Sequence, residues 1–197
     1  QAYNAFATGN TPNLAPLPIQ YSDYAIWQRY WLIGEVLENQ ENYWKKQLKD
    51  APKLLDLPTD YPRPAKPSYQ GRREDFALSQ ELTEKLKILS QKQGVSLFMT
   101  LFSAFSILLS RYSRQEDLCI GTGIANRTHS YTEKSLGFFV NTLILRSQIK
   151  SEQSFSELLQ KSRQICLDAY ANQDIPFEYL VEKLQPERTL SYNPLYQ

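Results

Sequence analysis

The sequence is short of the residues on which most reaction chemistries depend. It holds one histidine, His129, and two cysteines, Cys119 and Cys166. The cysteines stand far apart and outside any CxxC or Cys/His spacing. No zinc or other metal site is expected, and a disulfide framework is excluded by number. His129 sits in the polar turn "ANRTHSYTEK", where a histidine is expected to be solvated rather than a general base. No serine stands in GxSxG, and neither cysteine has a setting that would lower its pKa. A Gly-rich phosphate loop, a strand–GxGxxG–helix unit and an internal repeat are all missing. Carboxylates such as Glu38 and Glu41 are expected on solvated helix faces. Residue types alone supply no catalytic set.

Charge of one sign is missing too. With 22 basic and 21 acidic side chains the net charge is +1, which argues against a nucleic-acid surface. The longest apolar stretch, "LFMTLFSAFSILLSRY", is shorter than the roughly 20 residues of a membrane span and carries Thr100, Ser103, Ser106 and Ser110. The N-terminus lacks the basic start and apolar core of a secretory signal. A soluble cytoplasmic protein is expected, with no membrane partner.

What is present suffices for one large domain or a domain and a half: 197 residues, 42% of them apolar. "QAYNAFATG" reads as the last turn of a helix that begins upstream, and the apolar ending "SYNPLYQ" as a chain cut before its next element. After a Pro-rich spacer, "YSDYAIWQRYWLIGEVLENQENYWKKQL" predicts a long helix, or two broken near Gly34, capped by Ser22 with Asp23 in the first turn. Its Tyr24, Trp27, Trp31, Tyr43 and Trp44 are expected mostly in the core. "KDAPKLLDLPTDYPRPAKPSYQG", with five prolines, must be extended, and its leucines favour draping over a surface.

From Arg72 the pattern becomes an α/β alternation. "RREDFALS" predicts a strand, and "SQELTEKLKILSQKQG" a helix capped by Ser79 and stopped by Gly94. "SLFMTLFSAFSILLSRYS" predicts a central helix buried on most sides. "EDLCIGTGIANR" and "GFFVNTLILRSQI" predict two strands. "SFSELLQKSRQICLDAYANQ" opens with the capping box Ser154-x-x-Glu157, and "IPFEYLVEKLQP" predicts a short helix with Pro176 in its first turn. The implied fold class is an α/β arrangement, an α+β sandwich with helices on a mixed or antiparallel sheet.

Three groups of polar or small residues fit this scheme poorly. Asn141 and Thr142 interrupt an apolar strand, where a buried amide without partners costs about 1–3 kcal/mol. Gly121, Thr122 and Gly123 lie in a strand, where glycine marks a bulge or a close approach. Asn172, Gln173 and Asp174 lie at a helix junction. Each has a purely architectural alternative: Asn141 satisfying a neighbouring loop, the glycines permitting tight packing, Asp174 capping the next helix.

Together, "YSDYAIWQ", "LPTDYPRP", "GTGIANR", "GFFVNTLILR", "NQDIPFEYLVEKL" and "RTLSYNPLYQ" resemble, in order, blocks of the condensation domains of nonribosomal peptide synthetases. The resemblance implies a chloramphenicol acetyltransferase-like fold, two related lobes flanking a tunnel. Residues 1–70 would then be the end of the N-terminal lobe, the bridging helix and the Pro-rich crossover, and residues 71–197 an incomplete C-terminal lobe. It implies an acyltransferase that forms a peptide bond. The acceptor amine attacks a donor thioester, both borne on the 4′-phosphopantetheine of carrier proteins, with no cofactor bound directly. Implied partners are the remainder of the domain, donor and acceptor carrier proteins and an adjacent adenylation domain. The family's His-His-x-x-x-Asp-Gly motif is absent here and expected upstream, so no catalytic residue is assigned. Asn141, Thr142, Thr122 and Gly123 are expected to line the tunnel, Asn141 facing it together with Phe139, Leu143 and Leu145. Trp27, Tyr24, Asp174 and Phe177 are expected to be structural near the site. Two alternatives stand: a noncatalytic docking module, and an epimerization-domain relative, against which "GFFVNT" speaks.

Overall fold

A computed structural model describes residues 2–66, 68, 70–186 and 192–196. The first helix, α1 (Ala2–Ala7), is short, and an extended Pro-rich run follows it. Next come α2 (Tyr21–Trp31) and α3 (Gly34–Gln47), separated at Leu32 and Ile33. Gly34 has φ +53°, a conformation in which any other residue is strained, so the expected break falls at the glycine. The start of α2 differs from expectation. Gln20 is the N-cap and gives its N–H to Asp23 Oδ2 at 2.8 Å, leaving Ser22 inside the first turn. Asp23 thus holds the residue before the helix, and Ser22 has no capping to do.

Helices α4 (Gln80–Lys92) and α5 (Leu97–Ser113) are each capped by a serine. Ser79 Oγ accepts from the Leu82 N–H and Ser96 Oγ from the Met99 N–H, both at 3.2 Å. Strands β1 (Asp117–Ile124) and β2 (Asn141–Gln148) form an antiparallel ladder running from Asp117 opposite Gln148 to Ile124 opposite Asn141. Helix α6 (Phe155–Ala171) opens with the expected capping box, Ser154 N–H to Glu157 Oε2 at 2.8 Å. Helix α7 (Phe177–Leu184) follows Pro176, its N-cap rather than a first-turn residue, and ends at Gln185 in the left-handed region.

The fold is α+β, but the sheet is smaller than expected and, among the described residues, antiparallel rather than mixed. Residues 72–79 form no strand, and Phe76 and Leu78 are exposed. A strand exists only against a partner edge, and residues 72–79 pair with neither β1 nor β2. The second strand also begins at Asn141 instead of Gly137. The crossover is held at its start, where Gln115 takes the Asp56 N–H on Oε1 and gives Nε2 to Leu54 O, and Tyr61 further along is exposed.

Helix α5 inverts the expected pattern. Its buried face carries Thr100, Ser103 and Ser106 beside Met99, Phe102 and Leu109, while Phe98, Leu101, Phe105, Leu108 and Tyr112 face outward. Small hydroxyl side chains let helices approach closely. Ser103 Oγ lies 2.8 Å from Ser162 Oγ of α6, and Thr100 Oγ1 lies 2.7 Å from Ser90 Oγ of α4. The core proper gathers Trp44, Leu143, Ile144, Leu145, Cys166, Ala169, Ile175 and Leu180. The described helices include none that is by itself long and apolar enough to cross a membrane.

Arg146 ties the sheet to α3. Its guanidinium meets Asp117 at 2.6 Å and donates to the backbone carbonyls of Gln47, Lys49 and Asp50 at the end of α3. A cation there neutralises unpaired helix carbonyls and their dipole. Burial would raise the Asp117 pKa, but hydrogen bonds from Arg146 and Gln148 and the charge of Arg146 hold it below its ordinary value.

Two outcomes are expected. Because the folded pKa of Asp117 is depressed, its stabilisation is present above the ordinary aspartate pKa of about 4 and lost as pH falls through the lowered folded value. Urea midpoints measured against pH should therefore fall more steeply in that acid range for wild type than for Asp117→Asn; parallel curves count against the pair. The outward faces of α5 and of α2, where Ile26 and Tyr30 are exposed, form apolar surface of a kind rare on soluble monomers. The chain produced alone should self-associate in sedimentation runs and bind an apolar dye. A dye-free monomer at every concentration contradicts this.

Candidate functional site

The hairpin register places Thr122 opposite Leu143, Gly123 opposite Thr142 and Ile124 opposite Asn141. Four residues expected at the site thus share one end of the ladder. Asn141 is buried, and all its hydrogen-bonding positions are used within the chain. Nδ2 donates to Gln173 O at 2.9 Å and Ile175 O at 2.8 Å, and Oδ1 accepts from the Phe177 N–H at 3.0 Å and the Thr142 N–H at 2.9 Å. Two carbonyls facing the amide nitrogen fix its orientation, since the reverse would set the amide oxygen against both of them. The amide is directed at the connection between α6 and α7 and caps the first N–H of α7. Thr142 is half-buried, and Gly123 is exposed with nothing near the position of a Cβ.

The same connection is held from its other side by α3. Gln40, 6% exposed, donates Nε2 to Asp174 Oδ2 at 2.9 Å, and its Oε1 accepts from the N–H groups of Asp174 and Ile175 at 3.1 and 3.2 Å. One turn on, Trp44 Nε1 donates to Asn172 O at 2.8 Å. Asp174 therefore does not cap α7; it pairs with Gln40. Glu41 is not a solvated carboxylate either. It accepts from Tyr179 Oη at 2.7 Å and pairs with Lys45 at 2.8 Å, and those hydrogen bonds, Lys45's first, lower its pKa.

Of the two strand glycines, Gly121 is the one closely approached. A Cβ there would lie 2.4 Å from the ring of Tyr196, which sits edge-on to Phe177 at 5.6 Å. Of the last sequence block, residues 188–191 and 197 lie outside the described residues.

The aromatic side of the site centres on Phe139. Tyr24 and Tyr21 lie 4.8 and 5.2 Å from its ring, and the Arg127 guanidinium covers it at 4.2 Å. Arg127 also donates to the carbonyls of Thr132 and Ser135, closing the loop after β1. Burial, then the Asp174 charge, raises the Tyr24 pKa. Tyr24 and Trp44 are core residues as expected. Trp27 and Trp31 are not: each is 37% exposed, the pair stacked at 5.2 Å on the outward side of α2, with His129 edge-on to Trp27 at 4.9 Å. Cys119 and Cys166 are free and buried, and burial pushes both thiols up to about 11, far from a reactive thiolate. No group of three or more metal-ligating side chains occurs among the described residues. Sequence reasoning misses Gln40, Arg127 and Tyr196. Only Gln40 leaves a signal there, a polar residue four before Trp44 on one helix face.

The sequence profile described as "Condensation domain" matches residues 1–197. The chain belongs to the condensation-domain family. It is 50% identical over 195 residues to one of the linear gramicidin synthase proteins of Brevibacillus parabrevis, covering 99% of this chain and 4% of that protein. It is 49% identical over 197 residues to malpinin synthetase of Mortierella alpina, covering all of this chain and 2% of that one. Among solved structures, the X-domain from teicoplanin biosynthesis superposes with a TM-score of 0.89 at 28% identity, over 100% of this chain and 45% of that one. A four-domain nonribosomal peptide synthetase bound to AMP and glycine superposes at 0.80 and 31% identity, over 84% of this chain and 13% of that one. The α+β architecture is thus the chloramphenicol acetyltransferase-like one of condensation domains. The chain spans a few per cent of those synthetases' length and under half of the solved X-domain chain.

Asn141→Ala should leave two carbonyls and the first N–H of α7 without partners, at a cost of about 2–3 kcal/mol. Asn141→Asp, which has no donor for those carbonyls, should be comparably destabilised. Urea unfolding with an unchanged slope reads the loss; a midpoint shift near zero for both variants would refute the clamp.

Proposed function

We propose that the chain is part of a condensation domain that joins a donor aminoacyl or peptidyl thioester to an acceptor amine, both carried on 4′-phosphopantetheine arms. The supporting observation is 50% identity along 99% of the chain to a linear gramicidin synthase. In this reaction the amine nitrogen forms a bond to the thioester carbonyl carbon, the carbon–sulfur bond breaks, the nitrogen loses a proton and a carrier thiol is released. A thioester is already activated, so holding the partners together supplies most of what is needed, about 7–11 kcal/mol at the ideal limit.

This chain's part is positioning. Asn141 acts through the α6–α7 connection rather than on the substrate, because its hydrogen bonds are already committed. Thr122, Gly123 and Thr142, at the end of the β1–β2 pair nearest its connecting loop, contribute to a tunnel wall. Trp27, Tyr24, Asp174 and Phe177 hold the surroundings. His129 has no role as a base. Residues 1–70 serve as the bridge and crossover and residues 71–197 as the C-terminal lobe. The partners are the rest of the domain, donor and acceptor carrier proteins and an adenylation domain, in a cytoplasmic setting.

A second reading is favoured by one observation. The X-domain, similar in shape over the whole chain, was solved in complex with OxyB, so a noncatalytic lobe that docks another protein is the alternative.

The intact synthetase carrying this chain should form dipeptide from loaded donor and acceptor carriers, and the 197-residue chain alone should form none above a no-protein control. Dipeptide from the chain alone would sink the assignment of roles. An intact protein that makes none yet binds a partner protein would favour the docking reading.

A further inference from the structure

Gln40 and Asn141 grip one stretch of backbone from opposite sides. Gln40 takes the N–H groups of Asp174 and Ile175, and Asn141 gives its amide protons to the carbonyls of Gln173 and Ile175 and takes the Phe177 N–H. Ile175 is held at both ends of its backbone by the two amides, and its side chain is 3% exposed in the core. Neither amide can shift without moving the peptide units the other one holds. Gln40 is also matched in its own polarity: its nitrogen reaches the Asp174 carboxylate and its oxygen receives two N–H groups. Trp44, one turn along the same face of α3, fixes the start of the connection at Asn172.

We propose that Gln40 is a positioning residue for the condensation reaction. It sets the place of Asn141, and of Thr142 beside it, through the backbone of Gln173 to Ile175 that both amides hold. The inference rests on the condensation reading. It assigns to α3 a task beyond joining two parts of a chain, because the register of that helix is read out at the end of the hairpin. Glutamine is the side chain this needs. A carboxylate at position 40 keeps the acceptor for the two N–H groups but sets like charges against Asp174.

The experiment uses the intact synthetase with loaded carriers, comparing Gln40→Glu, Asn141→Ala, their combination, and the exchanged pair Gln40→Glu with Asp174→Asn. In the exchanged pair the amide at 174 donates to the carboxylate at 40, restoring the contact with its polarity reversed. Gln40→Glu should lower kcat about tenfold, the effect of losing one well-placed hydrogen bond, with KM for the acceptor carrier unchanged. The exchanged pair should recover to within about threefold of wild type, and Gln40→Glu should add little once Asn141 is alanine. An unchanged kcat overturns the proposal. So does a full additional loss in the Asn141→Ala background, which would make Gln40 independent of Asn141. Should Gln40→Glu alone not fold, the exchanged pair measured against wild type decides: near-wild-type turnover supports the proposal, and a folded, inactive protein overturns it. Hydrogen exchange over residues 173–177 is measured on the same proteins. If wild type itself forms no peptide bond, the condensation reading fails and exchange decides the link: faster in Gln40→Glu and restored in the exchanged pair supports it, unchanged protection overturns it.

Discussion

Residues Asn172 to Pro176 connect α6 and α7 without a helix or ladder of their own, yet Ile175 is buried in the core. Backbone N–H and C=O groups in such a place must find partners or cost as much as the hydrogen bonds they lack. That constraint organises the molecule. Two amide side chains, one from a helix and one from a strand, meet it together, each offering both a donor and an acceptor. Once the connection is fixed, the first N–H of α7 has its cap, Phe177 has its place against Tyr196, and Tyr179 reaches Glu41 on α3. The oddities in the sequence, an asparagine within an apolar strand and a polar run between helices, are two halves of one arrangement.

The helical layer obeys a different rule. Helix α5 buries hydroxyls and exposes phenylalanine and leucine, the reverse of what hydropathy alone directs. Buried serine and threonine are tolerable because each finds a partner: Ser103 and Ser106 bond back to the carbonyls of Met99 and Phe102, while Thr100 and Ser103 meet hydroxyls of neighbouring helices. What is gained is closeness. Larger side chains at these positions would hold α4 and α6 away and open the core around Cys166 and Leu159.

Most local signals in the sequence hold, Ser22 and Pro176 being displaced by a residue or two. Ser79, the Ser154–Glu157 box and Gly34 each act within a few residues of themselves, and the structure uses each where it stands. Asn141 and Gly121 are legible too, as anomalies against their own strands. What escapes depends on a partner remote in sequence. Residues 72–79 alternate like a strand but pair with neither β1 nor β2. The buried side of α5 is chosen by Ser90 and Ser162, which its own periodicity does not contain. Gln40 reads as an ordinary helix-surface amide until Asp174, 134 positions later, is set beside it. Trp27 and Trp31 repeat at helical spacing like core residues, yet each stays 37% exposed on α2, where Trp27 meets the loop residue His129.

Tyr196 resting on Gly121 bears on how such domains can be recombined. The ring fills the volume a side chain at 121 would need, so the two positions, far apart along the chain, are one steric unit. A chimera joined anywhere between them takes the glycine from one parent and the ring from the other. It packs well only when both parents share that arrangement. A junction placed before β1 or beyond Tyr196 leaves the pair with a single parent, which makes those two places the natural seams for cutting this part of the fold.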